Sequence, residues 1–355
     1  MGAFLVRRLI GMVLVLVAVT FFVFVIFVIV PGGDPAVRIA GKNANDQNII
    51  NIRHTWGFDK PFYVQYVKMM QKTFQGDLIS YTNQTNVQSQ IVQGIPATFS
   101  LSIGAAIIWL TFGILAGVIS AVTAGRLSDR LITIFALIGI SMPVFWLGFV
   151  ARYVLAGVIS AVTAGRLSDR LITIFALIGI SMPVFWLGFV VRYVFAQQHS
   201  IFPDSGYVPF TQSPTQWAYH LIMPWTVLAI LFIGFYGRVL RGNILDAIND
   251  DYVRTARAKG LAPRRVLVKH VLRNSLIPIV TLFGLDLAGV LGGGAILTES
   301  VFDLHGVGQY VKQSINNFDL PPIMGVTMYG AFFIVTFSVL VDIFYAYLDP
   351  RIRPT

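Results

Sequence analysis

The stretch Arg7–Pro35, "RRLIGMVLVLVAVTFFVFVIFVIVPGGDP", decides what kind of protein this is. It holds no charge from Leu9 to Val30, a run of 22 residues. As a helix rising about 1.5 Å per residue, such a run crosses the ~30 Å hydrocarbon layer of a bilayer. A cleaved signal would have a shorter apolar core, about 7–15 residues, and a small-residue cleavage site. Here the run is longer and stops at Pro31-Gly32-Gly33. It reads as a retained span, with Arg7 and Arg8 holding the N-terminus on the cytoplasmic side.

The rest of the chain agrees. Its 355 residues are 56% hydrophobic and only 12% charged, and the mean hydropathy is +0.74. Soluble domains carry about 25% charged residues. Inside a membrane every backbone polar group must be satisfied internally, by helices or by a closed barrel. The apolar runs are continuous rather than alternating, so the fold class is all-α, a polytopic membrane protein. The chain has no cysteine, which excludes disulfides, thiol nucleophiles and thiolate metal sites. The histidines His54, His199, His220, His270 and His305 form no i, i+4 pair and suggest no metal site. "AGKNAND" at Ala40–Asp46 lacks the leading glycine and the Ser/Thr of a phosphate-binding loop. ATP hydrolysis is therefore not expected on this chain, which reads as no enzyme and as carrying no cofactor of its own.

Three regions follow: a first helix at 1–31, an outer loop region at 32–96, and a membrane core at 97–355. The outer region turns polar, with six basic and four acidic residues between Asp34 and Gln93. Its segment "PFYVQYVKMMQKTF" has the apolar spacing of a short amphipathic helix. Further spans are expected at Ala97–Ala121, Leu131–Val150, Leu171–Val190, Leu221–Gly237, Leu276–Thr298 and Pro322–Leu348.

One feature disturbs this map. Leu115–Val150, "LAGVISAVTAGRLSDRLITIFALIGISMPVFWLGFV", recurs without a single change as Leu155–Val190, so that 115–154 and 155–194 are near-identical blocks with a period of 40. Architectural repeats diverge because each copy meets different neighbours. Between the two "GRLSDR" loops only Tyr153–Ala164 is left for a return span, too short to cross. One copy is surplus to the fold, and six functional spans remain without it. The basic residues then place "GRLSDR", the segment 238–275 and the tail "DPRIRPT" in the cytoplasm, and "FPDSGYVPF" and the Glu299–Pro322 loop outside. Both termini are cytoplasmic in this map.

Nine lysines and arginines lie between Arg238 and Arg273. Asp250 and Asp251 suit a helix N-terminus, Gly260 its C-terminal stop, and Pro263 the start of a second helix. Ala256 and Gly260, four apart, give the first helix a face with almost no side chain. On the second helix Arg265, Lys269 and Arg273 stack opposite Leu267, Val268, Val271 and Leu272, as an interfacial ramp into the next span. Anionic lipid accounts for the ramp, but it does not account for the bare face, which suits close approach by another protein. Nucleic acid is not an expected partner, because the segment has no aromatic platform.

With these residues in place, "DYVRTARAKGLAPRRVLVKHVLRNSLIP" at Asp251–Pro278 resembles the cytoplasmic loop of permease subunits of ATP-binding-cassette importers. The likeness is to the peptide-type group that serves dipeptides, oligopeptides and nickel. The family loop reads Glu-Ala-Ala, three residues, then Gly; here those positions are Arg254, Thr255, Ala256 and Gly260. "WGFDKPFYVQY", "GDLISY", "IFPDSGYVPF", "LGGGAILTESVFDLHGVGQYVKQSINNFDLP" and "VDIFYAYLDPRIR" extend the likeness over nearly the whole chain. Ile79 stands where a glycine is usual, and the second 40-residue block has no counterpart. The resemblance implies a half-pathway for peptides in the cell (inner) membrane. It also implies a homologous second permease, one or two ATP-binding subunits using ATP and magnesium, and an extracytoplasmic solute-binding protein. Arg254, Thr255, Ala256, Arg257 and Gly260 then couple the permease to the ATPase. A nickel or other small-solute permease is the alternative within the family. A secondary transporter and a non-transporting scaffold are the alternatives outside it.

In the fifth span Gly284, Ala288 and Gly292 share one face, with Gly293 beside them. Such a stripe serves helix packing or, in the sharper reading, a gate between two permeases. Asp286 is the mid-span acid, placed to receive a substrate amine or hydrogen bonds from a neighbouring helix. Glu299 is the only glutamate in the chain; it sits at the outer mouth, facing substrate or binding protein.

Overall fold

A computed structural model describes residues 2–29, 34–40, 45–80, 82–141 and 184–348. Their regular structure is helical, apart from one isolated antiparallel bridge between Ile79 and Asn86. Five of the described helices are long and apolar enough to cross a membrane: Val6–Phe24, Val87–Val122, Pro214–Ile248, Ile277–Gly294 and Leu320–Val341. Of the repeat, 115–141 of the first copy and 184–190 of the second are described. The middle of the duplication, and with it most of the span expected at Leu171–Val190, lies outside the described residues.

The chain forms two compact units, 1–100 with 284–355, and 101–283. In the first unit α1 (Gly2–Phe24) packs along α14 (Leu320–Leu348). The outer segment carries α2 (Pro35–Ala40), α3 (Asp46–Trp56) and α4 (Phe62–Gln75), the last on the amphipathic patch, ended by Gly76 in the left-handed region. Met69 of α4 joins Val23, Phe24 and Met324 in a buried cluster, and Tyr66 sets its ring edge-on to Phe21 and Phe24. The Tyr66 hydroxyl lies 2.8 Å from Thr20 Oγ1. The outer region is thereby clasped to the first span. The loop after α4 is tied down too, Ser80 Oγ donating to Asp319 Oδ2 at 2.5 Å and the Thr82 N–H at 3.2 Å.

The second unit holds most of α5 (Val87–Val122), α6 (Leu127–Ser141), α7 (Val184–Arg192) and α8 (Pro214–Ile248). Ser213 caps α8, accepting from the Gln216 N–H, and Pro214 fills its first turn, where no donor is needed. Glycines let α5 and α8 close on each other. A Cβ at Gly104 would lie 2.1 Å from the Trp225 ring, and at Gly113 or Gly117 it would meet Tyr236 or Leu240 at 2.8 Å. Trp109 stacks on Phe232 with centroids 4.4 Å apart. Lipid gives little hydrophobic drive to helix association, so close backbone approach and ring packing hold this unit.

Candidate functional site

Beyond α8 the chain turns at Asn249-Asp250 into α9 (Asp251–Ala258). Val253 and Ala256, one helical turn apart, are buried, against α10. Tyr252, Arg254, Thr255, Arg257 and Ala258 are exposed. The small face of Ala256 lies against the chain's own next helix. The face open to a partner carries Arg254, Thr255 and Arg257 instead. Arg254 reaches Asp251 at 3.6 Å, with both side chains largely in solvent, so that pair adds little stability.

Gly260 has φ +73, and an added Cβ would meet nothing within 4 Å. It ends α9 for backbone reasons. Its N–H bonds Arg257 O at 2.9 Å and that of Leu261 bonds Ala256 O at 3.4 Å, the double closure of a Schellman cap. Pro263 then opens α10, a composite of Pro263–Arg265, a π-helical stretch Val266–Leu272, and Arg273–Ser275. The wider π turn changes which residues point inward. Val266 and Val271, five apart, are buried, whereas Val268 is 56% exposed. The ramp therefore departs from the α-helical face read from sequence. Its far end is tied to α8, Ser275 Oγ donating to Asn243 O at 3.2 Å and Asn243 Nδ2 to Ser275 O at 3.3 Å.

Two residues further back on α8, Arg241 grips Asp129 at the start of α6, with Nε–Oδ1 at 2.7 Å and Nη2–Oδ2 at 2.8 Å. Ser120 Oγ donates to Oδ1, and the Gly125 N–H donates to Oδ2 at 2.9 Å. The Arg241 hydrogen bonds first, then those of Ser120 and Gly125, hold the Asp129 carboxyl well below the usual carboxylate range. This clasp joins the "GRLSDR" turn to the helix that leads into α9. Sequence reading missed it, because the pair lies 112 residues apart.

The expected pathway residues scatter. Asp286 is half-buried in α11 (Ile277–Gly289). Gly292 lies in the π-helical turn Val290–Gly294 that follows and faces Gly330 of α14, where a Cβ would come 3.0 Å from Gly330 O. A Cβ at Gly284 would strike Val341 at 2.0 Å. The stripe is thus used for packing inside the chain. Gly293 has φ +123, a backbone only glycine takes readily, and it breaks the helix there.

Glu299 lies in α12 (Ile296–Phe302). It is fully buried. It accepts from Thr98 Oγ1 at 2.7 Å and from the Gln309 N–H at 2.9 Å, with the Gly308 N–H adding a third bond. Those amides begin α13 (Val307–Asn316), so Glu299 accepts from N–H groups that a helix N-terminus leaves without intrahelical partners. Burial pushes its carboxyl up, against those three bonds. Thr98 in turn accepts from the Val307 N–H at 2.9 Å. Gly306 is required sterically: a Cβ there would lie 2.5 Å from the Glu299 carboxyl. The signal in the sequence was a lone glutamate followed by Gly-x-Gly at 306–308.

Residues 153–354 match the family model described as binding-protein-dependent transport system inner membrane component. Residues 1–102 match the model for the N-terminal part of such components. The chain belongs to this family. It is a multi-pass membrane permease component, and the α9–α10 loop falls inside the larger match. The two matches flank 103–152, which holds Leu115–Val150, the first copy of the identical stretch. Relatives are similar over almost the full length. A probable peptide ABC transporter permease protein of Sinorhizobium fredii is 34% identical over 99% of this chain and 100% of its own. A probable D,D-dipeptide transport system permease protein of Escherichia coli is 36% identical, covering 98% of this chain and 96% of its own. A di/tripeptide transport system permease protein of Pseudomonas aeruginosa is 33% identical over 99% of both.

Proposed function

We propose that this permease carries peptides inward through the cell membrane as one half of a translocation path. A homologous second permease supplies the other half, ATP-binding subunits drive the cycle with ATP and magnesium, and an extracytoplasmic binding protein delivers the peptide. The observation that carries the substrate class is the full-length similarity to permeases whose names specify peptides. Both termini and the loop 238–275 lie in the cytoplasm in this reading, and the exposed face of α9 meets the ATPase through Arg254, Thr255 and Arg257. Gly260 shapes the end of that helix, and Ala256 fixes it to α10.

Asp286 keeps the two readings open to it, substrate amine or neighbouring helix. One copy of the repeat suffices for this function, so a variant lacking Leu155–Val194 retains transport. The test is purification in mild detergent with its co-purifying subunits, then reconstitution and uptake of labelled di- and oligopeptides. ATP- and binding-protein-dependent uptake is the expected result. Uptake of nickel complexes but not of peptides would replace the substrate class. Uptake driven by an ion gradient without ATP would replace the mechanism.

A further inference from the structure

Beside the Asp129–Arg241 clasp the second unit encloses a cavity of about 200 Å³. Ser120, Thr133, Arg238 and Arg241 make its polar side, and Ile132 and Ala136 are among its apolar walls. The inventory of donors and acceptors defines what fits. The Asp129 side chain is 6% exposed, and its oxygens are occupied by Arg241, Ser120, Gly125 and, at 3.5 Å, the Thr133 hydroxyl. Ser120 has spent its proton on that carboxylate. Arg241 gives Asp129 its Nε and one Nη2 proton, so three of the five guanidinium N–H groups remain. Arg238 is exposed and bonds to no acid among the described residues. The cavity therefore offers N–H donors and one uncompensated positive charge, with no free carboxylate. A donor-rich site of this kind takes an oxyanion, and guanidinium forks suit phosphate in particular.

The apolar walls narrow the source. Inorganic phosphate would leave Ile132 and Ala136 without contact, whereas a lipid phosphate brings glycerol and acyl carbons to them. Exposed Arg126 and Arg130 flank the preceding turn and add to the local positive potential. Basic pockets between membrane helices on the cytoplasmic side are suited to anionic headgroups. We propose that the cavity between α5, α6 and α8 binds the phosphate group of an anionic phospholipid of the cytoplasmic leaflet.

The full-length chain in detergent, titrated with phosphatidylglycerol and read by native mass spectrometry, tests this. One retained lipid with saturable binding is expected, weakened about tenfold in Arg238→Gln, the loss of one charge-assisted contact. Arg264→Gln, on the exposed start of α10, should leave the affinity unchanged. Arg238→Lys, which keeps the charge but loses the planar fork, should weaken it about threefold and stands in if Arg238→Gln does not fold. Equal affinity in wild type and Arg238→Gln would overturn the proposal, as would equal weakening by Arg264→Gln. Retention of inorganic phosphate in place of the lipid would also overturn it. Phosphatidylcholine bound as tightly as phosphatidylglycerol would do the same.

Discussion

Asp129 and Glu299 are both buried carboxylates, one in each unit, and both organise a chain reversal, yet they are held in opposite ways. Asp129 faces a guanidinium and keeps its charge easily. Glu299 accepts only from a hydroxyl and two backbone amides, and burial works against its ionisation. A cation compensates desolvation directly, whereas neutral donors offset it only in part. The first is a clasp between two helices; the second is the shared anchor of Thr98 and the start of α13. Removing either leaves different groups stranded, and the comparison can be broken on that point.

The largest effect belongs to Glu299→Ala, which strands the Thr98 hydroxyl and the Gly308 and Gln309 amides together. Each orphaned buried donor costs about 1–3 kcal/mol, so a loss of about 3 kcal/mol or more is expected in thermal or denaturant unfolding of the detergent-solubilised chain. Glu299→Gln should lose only about 1 kcal/mol, since its oxygen can serve the two amides while its NH₂ group turns to Thr98 Oγ. Equal damage from both would mean that charge, not hydrogen bonding, holds α13.

Asp129→Asn comes next, at about 2 kcal/mol, below the range for a fully buried pair because Arg241 keeps some access to water. The double variant Asp129→Asn with Arg241→Gln should recover part of that loss. No recovery would show that the clasp is not a unit.

Neighbouring glycines separate sterics from backbone strain. At Gly306 an alanine Cβ collides with the Glu299 carboxyl although the backbone is ordinary, with φ −82; a loss of about 1–3 kcal/mol follows from overpacking. At Gly125, with φ +80 and nothing within 4 Å of a Cβ, Gly125→Ala should cost about 1 kcal/mol through the left-handed backbone alone. Denaturation midpoints of the two variants give the ranking directly.

The smallest and most diagnostic effect is that of pH. Asp129 has a depressed folded pKa. Its stabilisation is present above the unfolded value of about 3.9 and fades as pH falls toward the lower folded value. Glu299 has a raised one. Its contribution is complete below about pH 4.3 and fades as pH rises through the folded value. Stability profiles should therefore flatten on the acid side in Asp129→Asn and on the less acid side in Glu299→Gln. Identical profiles for the two variants would contradict the contrast.

How far the sequence could be read follows the range of the interactions. The uncharged run at Leu9–Val30, the amphipathic α4 and the Gly260–Pro263 boundary are local signals, and the structure has helices and a cap where they lie. The direction of Ala256 was not legible. In an eight-residue helix, Val253 with Ala256 and Ala256 with Gly260 are equally good faces, and the π turn of α10 selects the first by bringing Val266 and Val271 inward. The burial of Glu299 was hidden for a related reason. Its hydroxyl partner Thr98 is 201 residues away, and the Gly-x-Gly at 306–308 marks a close approach without naming the carboxylate that makes it. The small-residue stripe announced close packing but not its partner, Gly330.

In the proposed assembly the exposed side of α9, and not its Ala256 side, meets the ATP-binding subunit. The chain contains no cysteine, so a single Thr255→Cys variant carries a unique thiol on that exposed side. In the reconstituted transporter, a maleimide–benzophenone reagent attached to Thr255→Cys should photo-crosslink to the ATP-binding subunit, with a yield that changes when ATP is bound. Val268→Cys, exposed on the ramp, should not link. Absence of any Thr255→Cys product from an assembled, ATP-hydrolysing complex would contradict the account and leave α9 and α10 together as a lipid anchor.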